Sequence, residues 1–205
     1  MNRLKYILFL LPLASFAQAE TPQTSTVPTV DWAVMGAFDI NMPMGVAKYG
    51  NDLKLDYGGG IGASVRINLH QGWVLEPSVL FSYDDKRIAT GDDGDDMSIW
   101  RMSVSMPLLA GYRFDLTDNM GLTPVGGVEF SCCFSNNIDH KSYSGDRFSS
   151  PRRFNVSLGI GAGIIYDELE VDIVGFFGLI PVFKGRKENM NDYKVRVMAK
   201  YYFKM

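Results

Sequence analysis

Two histidines, two adjacent cysteines and one run of acids mark where chemistry would first be sought in this chain. Asp139-His140 with Ser142 brings together an acid, an imidazole and a hydroxyl, the ingredients of acyl transfer or ester hydrolysis. Such constellations are assembled by three-dimensional geometry, and neighbouring positions rarely converge on one reacting atom. We therefore read this stretch as a solvated loop and assign no catalytic residue. The run Asp92-Asp93-Gly94-Asp95-Asp96 offers oxygen ligands to Ca²⁺, but it lacks the alternating ligand spacing of an EF-hand loop. It reads as a hairpin tip, and neither a metal nor a cofactor site is assigned. Cys132 and Cys133 are consecutive, so on a strand they point to opposite faces and a bond between them would need a strained turn. We expect two small, half-buried residues there and no disulfide.

Chemistry this sparse shifts attention to the elements that carry it. A chain of 205 residues fits one domain with a leader, and a net charge of -3 excludes an electrostatic case for a nucleic-acid partner. Arg3 and Lys5 precede a short apolar core, Tyr6 to Leu13, and Ala17-Gln18-Ala19 supplies the small residues of a cleavage site. The core is shorter than the roughly 20 residues of a spanning helix. Residues 1–19 are expected to be a cleaved signal peptide, followed by a Thr- and Pro-rich tether over 20–30.

From Asp31 onward one pattern recurs. Tyr57, Gly59, Ile61, Ala63, Val65, Ile67 and Leu69 share one parity, and Gly58, Gly60, Gly62, Ser64, Arg66 and Asn68 the other. Period-two alternation of this length means a strand with one apolar face and one polar or very small face. The same pattern runs through 73–83, 100–114, 153–166 and 193–203, and less cleanly through 31–41, 120–134 and 168–181. In 168–181, Val174 and Phe176 fall on the polar parity, which leaves that register open.

The polar parity is largely Gly, Ser, Arg and Glu, while the apolar one carries aliphatics with aromatics near its ends. Turned inward, those rings and branched chains would crowd a small barrel and leave a glycine-rich exterior. Turned outward, they form a lipid-facing band about 25 Å tall with aromatic girdles. Lipid also demands closure, because an open sheet edge would leave backbone groups unpaired. The expectation is an all-β fold, an eight-stranded antiparallel transmembrane β-barrel over residues 31–205 in the outer membrane of a Gram-negative cell. Connections at His70-Gln71-Gly72, Asp115 to Asn119 and Asp167 are short, whereas 42–56, 84–96, 135–150 and 182–192 are long and polar. Short turns face the periplasm in this class, which puts both termini there. Pro77, Pro107 and Pro124 each cost a ladder donor, and a bulge is expected where Pro107 opposes Gly127.

The inward parity also carries charge. Arg66, Glu76, Arg101, Arg113, Glu129, Asp172, Arg196 and Lys200 are expected to form a structural network inside the barrel. Arg66 should face Glu76 across the Gly72 turn, and Asp172 should reach Lys200 diagonally. An interior of this size is filled by side chains, which argues against a general pore. In the long connections, Lys141, Arg147, Arg152, Lys184, Arg186 and Lys187 suit the phosphates of lipopolysaccharide.

The stretch Val104-Ser105-Met106-Pro107-Leu108-Leu109-Ala110-Gly111-Tyr112-Arg113-Phe114 resembles the I-P-L-L-x-x-Y-x-F strand of the PorT-like outer-membrane β-barrel family of Bacteroidetes. Gly72-Trp73-Val74-Leu75-Glu76-Pro77-Ser78-Val79-Leu80-Phe81-Ser82-Tyr83 is similar to the strand after that family's first periplasmic turn. The alternating aromatics ending at Phe203 resemble the strand read by the outer-membrane assembly machinery. The resemblance implies an integral barrel among lipid and lipopolysaccharide and carries no catalytic motif. Two roles follow: a non-enzymatic barrel with a structural, surface-interaction or secretion-accessory task toward an envelope or extracellular protein, or a lipid-modifying enzyme of the outer leaflet.

Overall fold

Alternating residues make strands here, and the strands close on themselves. The computed structural model describes residues 28–44, 56–89, 96–139, 153–180 and 191–203. Its strands are β1 (Thr29–Met44), β2 (Asp56–Asn68), β3 (Trp73–Ala89), β4 (Asp96–Tyr112), β5 (Phe114–Thr117), β6 (Met120–Asp139), β7 (Phe154–Tyr166), β8 (Leu169–Gly178) and β9 (Asn191–Phe203). All pairings are antiparallel; β9 returns to β1, and β4 pairs with β6 to shut the ring. β4 and β5 are one barrel strand broken at Arg113, both laid against β6, so the barrel has eight strands.

Several expected boundaries move. β1 takes in Thr29 and Val30, which pair with Asn68 and Ile67. Asp115 to Thr117 belong to β5, and the reversal there is only Asp118-Asn119. β3 and β6 run on to Ala89 and Asp139, well into stretches expected to be loop. Pro107 opposes Glu129 instead of Gly127, in unbroken register. The irregularity sits farther along, where Met102 faces Ser135 and Ser103 faces Cys133, leaving Phe134 as the extra residue. The Cys133 sulfur lies 3.3 Å from both the Met102 and Ser135 carbonyl oxygens, closing the gap the bulge opens. Cys133 is buried and Cys132 exposed, which departs from the expectation of two half-buried residues; neither forms a disulfide.

Cα partners followed around the barrel run Val30, Ile67, Leu75, Ala110, Gly126, Ile160, Gly175 and Val195, then reach Ile40 on β1. The row re-enters ten residues above its start, a stagger that tilts the strands by about 40°. Trp32, Trp73, Tyr166, Tyr201 and Phe203 project outward near the short turns, the turn end. Phe38, Tyr57, Tyr83, Trp100, Phe154 and Phe177 do so near the long connections, the loop end. At a rise of about 3.3 Å per residue and that tilt, Trp73 to Tyr83 spans about 25 Å along the axis, the height of an outer-membrane apolar band. Ile61, Ile160 and Ile173 between the belts are 74%, 67% and 57% exposed, the outward apolar face that alternation calls for.

Val174 and Phe176 do keep the inward parity. Three glycines of β7 explain how. A Cβ at Gly159 would come within 2.7 Å of the Phe176 ring, one at Gly161 within 2.7 Å of the Val174 Cα, and one at Gly163 within 1.9 Å of Asp172 Oδ1. β7 gives up side-chain volume so that β8 can fill the interior. Met35, Leu80, Leu109, Val125, Val174, Phe176 and Met198 pack there as an apolar layer.

Candidate functional site

On β9 the inward side chains run Lys194, Arg196, Met198, Lys200 and Tyr202 from loop end to turn end. Met198 belongs to the apolar layer, so the basic residues on either side of it feed two separate polar clusters. Below the layer, at the turn end, Arg66 Nε donates to Glu76 Oε1 at 2.6 Å, and its Nη2 pairs with Glu170 Oε2. Lys200 Nζ lies 2.5 Å from Glu76 Oε2 and 2.6 Å from Asp172 Oδ2. Tyr202 donates to Glu170 Oε2 at 2.8 Å, and its ring lies 4.4 Å beneath the Arg66 guanidinium. The five charged side chains are at most 3% exposed.

Above the layer, Arg196 forks onto Asp39 with contacts of 2.6 and 2.8 Å, and its Nη1 donates to Glu129 Oε2. Lys194 Nζ lies 2.5 Å from the other Glu129 oxygen. Planar guanidinium groups suit such paired geometry, and within a narrow interior the charges must be satisfied by one another. Arg101 is also inward, at 9% exposure, with Asp84 as its Cα partner. Arg113 is placed elsewhere: it stands at the break between β4 and β5 and pairs with the exposed Asp115 at 2.7 Å.

Glu170, Asp39, Lys194 and Tyr202 complete these clusters and were missed in the sequence reading. Their signal was parity: Glu170 sits two residues before Asp172, and Tyr202 two after Lys200. What cross-barrel partners they find depends on the stagger, which no single strand encodes.

The layer between the clusters leaves the barrel plugged, with Leu80, Val174, Phe176 and Met198 at 0–1% exposure. That arrangement braces the wall and fills the interior at this height. Among the described residues the one histidine, His70, lies in the exposed turn between β2 and β3. His140, Ser142, the acids 92–95 and the bases Lys141, Arg147, Arg152, Lys184, Arg186 and Lys187 lie outside the described residues.

A second feature stands at the loop end. β3 and β4 stay paired out to Ala89 and Asp96, and β4 pairs with β6 as far as Asp139. From Tyr83 to Ala89 the chain climbs about 15 Å beyond the aromatic belt at the same rise and tilt. Among the described residues, β2 partners β3 only up to Asp84, and β7 partners β6 only up to Cys132, with one further bond from Cys133 N–H to the Arg153 carbonyl. Among the described residues the projecting sheet therefore has three strands.

Several solved structures are similar to this chain over most of its length. Neisserial surface protein A is 12% identical, with a TM-score of 0.48, and the match covers 85% of this chain and 99% of that one. The attachment invasion locus protein Ail of Yersinia pestis is 14% identical, with a TM-score of 0.39, over 84% of this chain and 98% of that one. The N-terminal β-barrel domain of Pseudomonas aeruginosa OprF is 13% identical, with a TM-score of 0.35, over 82% and 97%. No curated protein matches the sequence. Residues 16–184 match the family described as outer membrane protein beta-barrel domain. With that match spanning most of a closed, lipid-facing, eight-stranded barrel, the chain belongs to the outer membrane protein beta-barrel domain family.

Proposed function

We propose that this outer-membrane barrel is a non-enzymatic interaction protein that presents its projecting β3–β4–β6 sheet to an envelope or extracellular protein. The carrying observation is that sheet. Beyond Cys133, β6 is paired along one side only among the described residues, and β3 likewise beyond Asp84. A strand edge of this kind offers a row of N–H and C=O groups to an incoming extended segment, and natural proteins rarely leave one without a use or a guard. The plugged interior supports the same reading, since a small filled barrel is an anchor for what it displays.

In this reading residues 1–19 are removed on export, 20–30 are a periplasmic tether, and the turn end with both termini faces the periplasm. The basic residues of the long connections meet lipopolysaccharide phosphates, and the β9 aromatics ending at Phe203 engage the assembly machinery. The likeness of residues 72–83 and 104–114 to PorT-like strands supports a PorT-like branch of the family for this protein.

A photo-crosslinking residue at the exposed Ser135, on the edge of β6, tests the proposal in native outer membrane. The expected result is a discrete crosslinked protein. It should disappear when residues 86–99 are replaced by a short Gly/Ser turn in a barrel that still migrates differently before and after boiling. An unchanged crosslink, or an altered lipid A profile on overexpression with no crosslink, would contradict it.

A further inference from the structure

The turn-end cluster holds more acids than bases. At the loop end Asp39 and Glu129 meet Arg196 and Lys194. At the turn end Glu76, Glu170 and Asp172 meet Arg66 and Lys200 as their only ion-pair partners among the described residues, which leaves one negative charge over in a buried cluster. The surplus can be traced to particular atoms. Both Glu76 oxygens, Glu170 Oε2 and Asp172 Oδ2 are held by the two cations and Tyr202. Glu170 Oε1 and Asp172 Oδ1 accept no hydrogen bond, although both side chains are fully buried.

Those two oxygens share one place. A Cβ built on Gly163 would stand 1.9 Å from Asp172 Oδ1 and 2.9 Å from Glu170 Oε1, so both lie over the same glycine. Across that glycine, Thr123 is the Cα partner of Gly163 on β6. Thr123 is 0% exposed, and its Oγ1 has no hydrogen-bond partner. Its methyl carbon lies toward Gly111 on β4, where a Cβ would meet it at 3.0 Å. Around the Thr123–Gly163 pair, one buried hydroxyl and two buried carboxylate oxygens are thus left without a hydrogen bond.

We propose that Glu170 and Asp172 form a proton-binding dyad, taking one proton from water and holding it between Glu170 Oε1 and Asp172 Oδ1 while the barrel is folded at neutral pH. Two buried carboxylates this close do not both stay ionised without a cation for each, and sharing a proton is the usual resolution. A metal ion fits the place less well. Ca²⁺ takes six to eight oxygens and Mg²⁺ an octahedron, whereas here two carboxylate oxygens are free, with Arg66 and Lys200 adjoining. The groups facing the dyad are Arg66 from β2, Glu76 from β3, Thr123 from β6, and Lys200 and Tyr202 from β9.

Infrared difference spectroscopy on the full barrel in lipid vesicles at pH 7 tests this. A protonated-carboxyl C=O band is expected in the unmodified protein. It should be lost in both Asp172→Asn and Glu170→Gln and retained in Asp115→Asn at the exposed rim. Asp172→Asn removes the surplus charge without needing the proton, so its unfolding equilibrium constant at pH 7 should stay within about twofold of that of the unmodified protein. If a variant fails to fold, raising the pH of the unmodified barrel should bleach the same band and restore it on return to neutral. Absence of the band at pH 7, or a band indifferent to both substitutions, overturns the proposal. A midpoint that instead follows added Ca²⁺ or EDTA, with no band, assigns the place to a cation.

Discussion

The loop-end and turn-end clusters use the same side-chain types and are built on different logic. Arg196 is a hub: its one guanidinium holds Asp39 of β1 and Glu129 of β6 and reaches Ser105 of β4 at 3.5 Å. The turn-end cluster divides that work between Arg66 and Lys200, which both serve Glu76 and Glu170. Each cluster ties a different set of strands, β1, β4, β6 and β9 above the apolar layer and β2, β3, β8 and β9 below it. A barrel cannot rest on a thick apolar core, because most of its bulky residues face lipid. Polar braces at two heights, with the layer of Leu80, Val174 and Phe176 between them, take over that role.

The comparison makes a hub more costly to lose than a shared brace. Arg196→Ala takes the shared guanidinium from buried Asp39 and Glu129 at once, with Glu129 keeping Lys194, and should lower unfolding stability in detergent micelles by about 3–5 kcal/mol or prevent folding outright. Arg66→Ala leaves Lys200 in contact with all three acids, so its urea midpoint should fall by less, about 2–3 kcal/mol. Equal losses would mean that the clusters are not organised differently. Gly163→Ala pushes into the Asp172 and Glu170 oxygens and should cost about 1–3 kcal/mol, whereas Gly36→Ala meets nothing within 4 Å on the outer wall and should be neutral. Lys187→Ala and His140→Ala lie in long connections and should leave the midpoint, surface display and complementation of a deletion unchanged. A lost phenotype in well-folded His140→Ala, with a changed lipid A profile, would favour the enzyme reading.

Faces were far more legible in the sequence than contacts across the barrel. Alternation in 57–69 or 193–203 states which side chains point inward, because a strand allows only two directions. It therefore indicated Arg66 beside Glu76, since a three-residue turn fixes that register. It gave no sign that Arg196 would meet Glu129, which depends on eight registers acting together. Val174 and Phe176 looked like a register error because an inward face was assumed to be polar throughout. The glycines of β7 held the correction, since three small inward residues in a row imply that something large leans over them. Strand ends were the least legible, because β3, β4 and β6 continue past the lipid, where alternation no longer has a solvent boundary to report.

Spin labels placed one at a time at the outward β9 positions 193, 195, 197, 199, 201 and 203, in lipid vesicles, test the lipid-facing band most directly. Depth is read as the preference for collision with oxygen over a water-soluble nickel chelate. The profile should peak at Val197 and Ala199 and fall toward Tyr193 and Phe203, where the aromatic belts lie. A flat profile with high chelate access at every position would mean that this face meets water, and the protein would then be no transmembrane barrel.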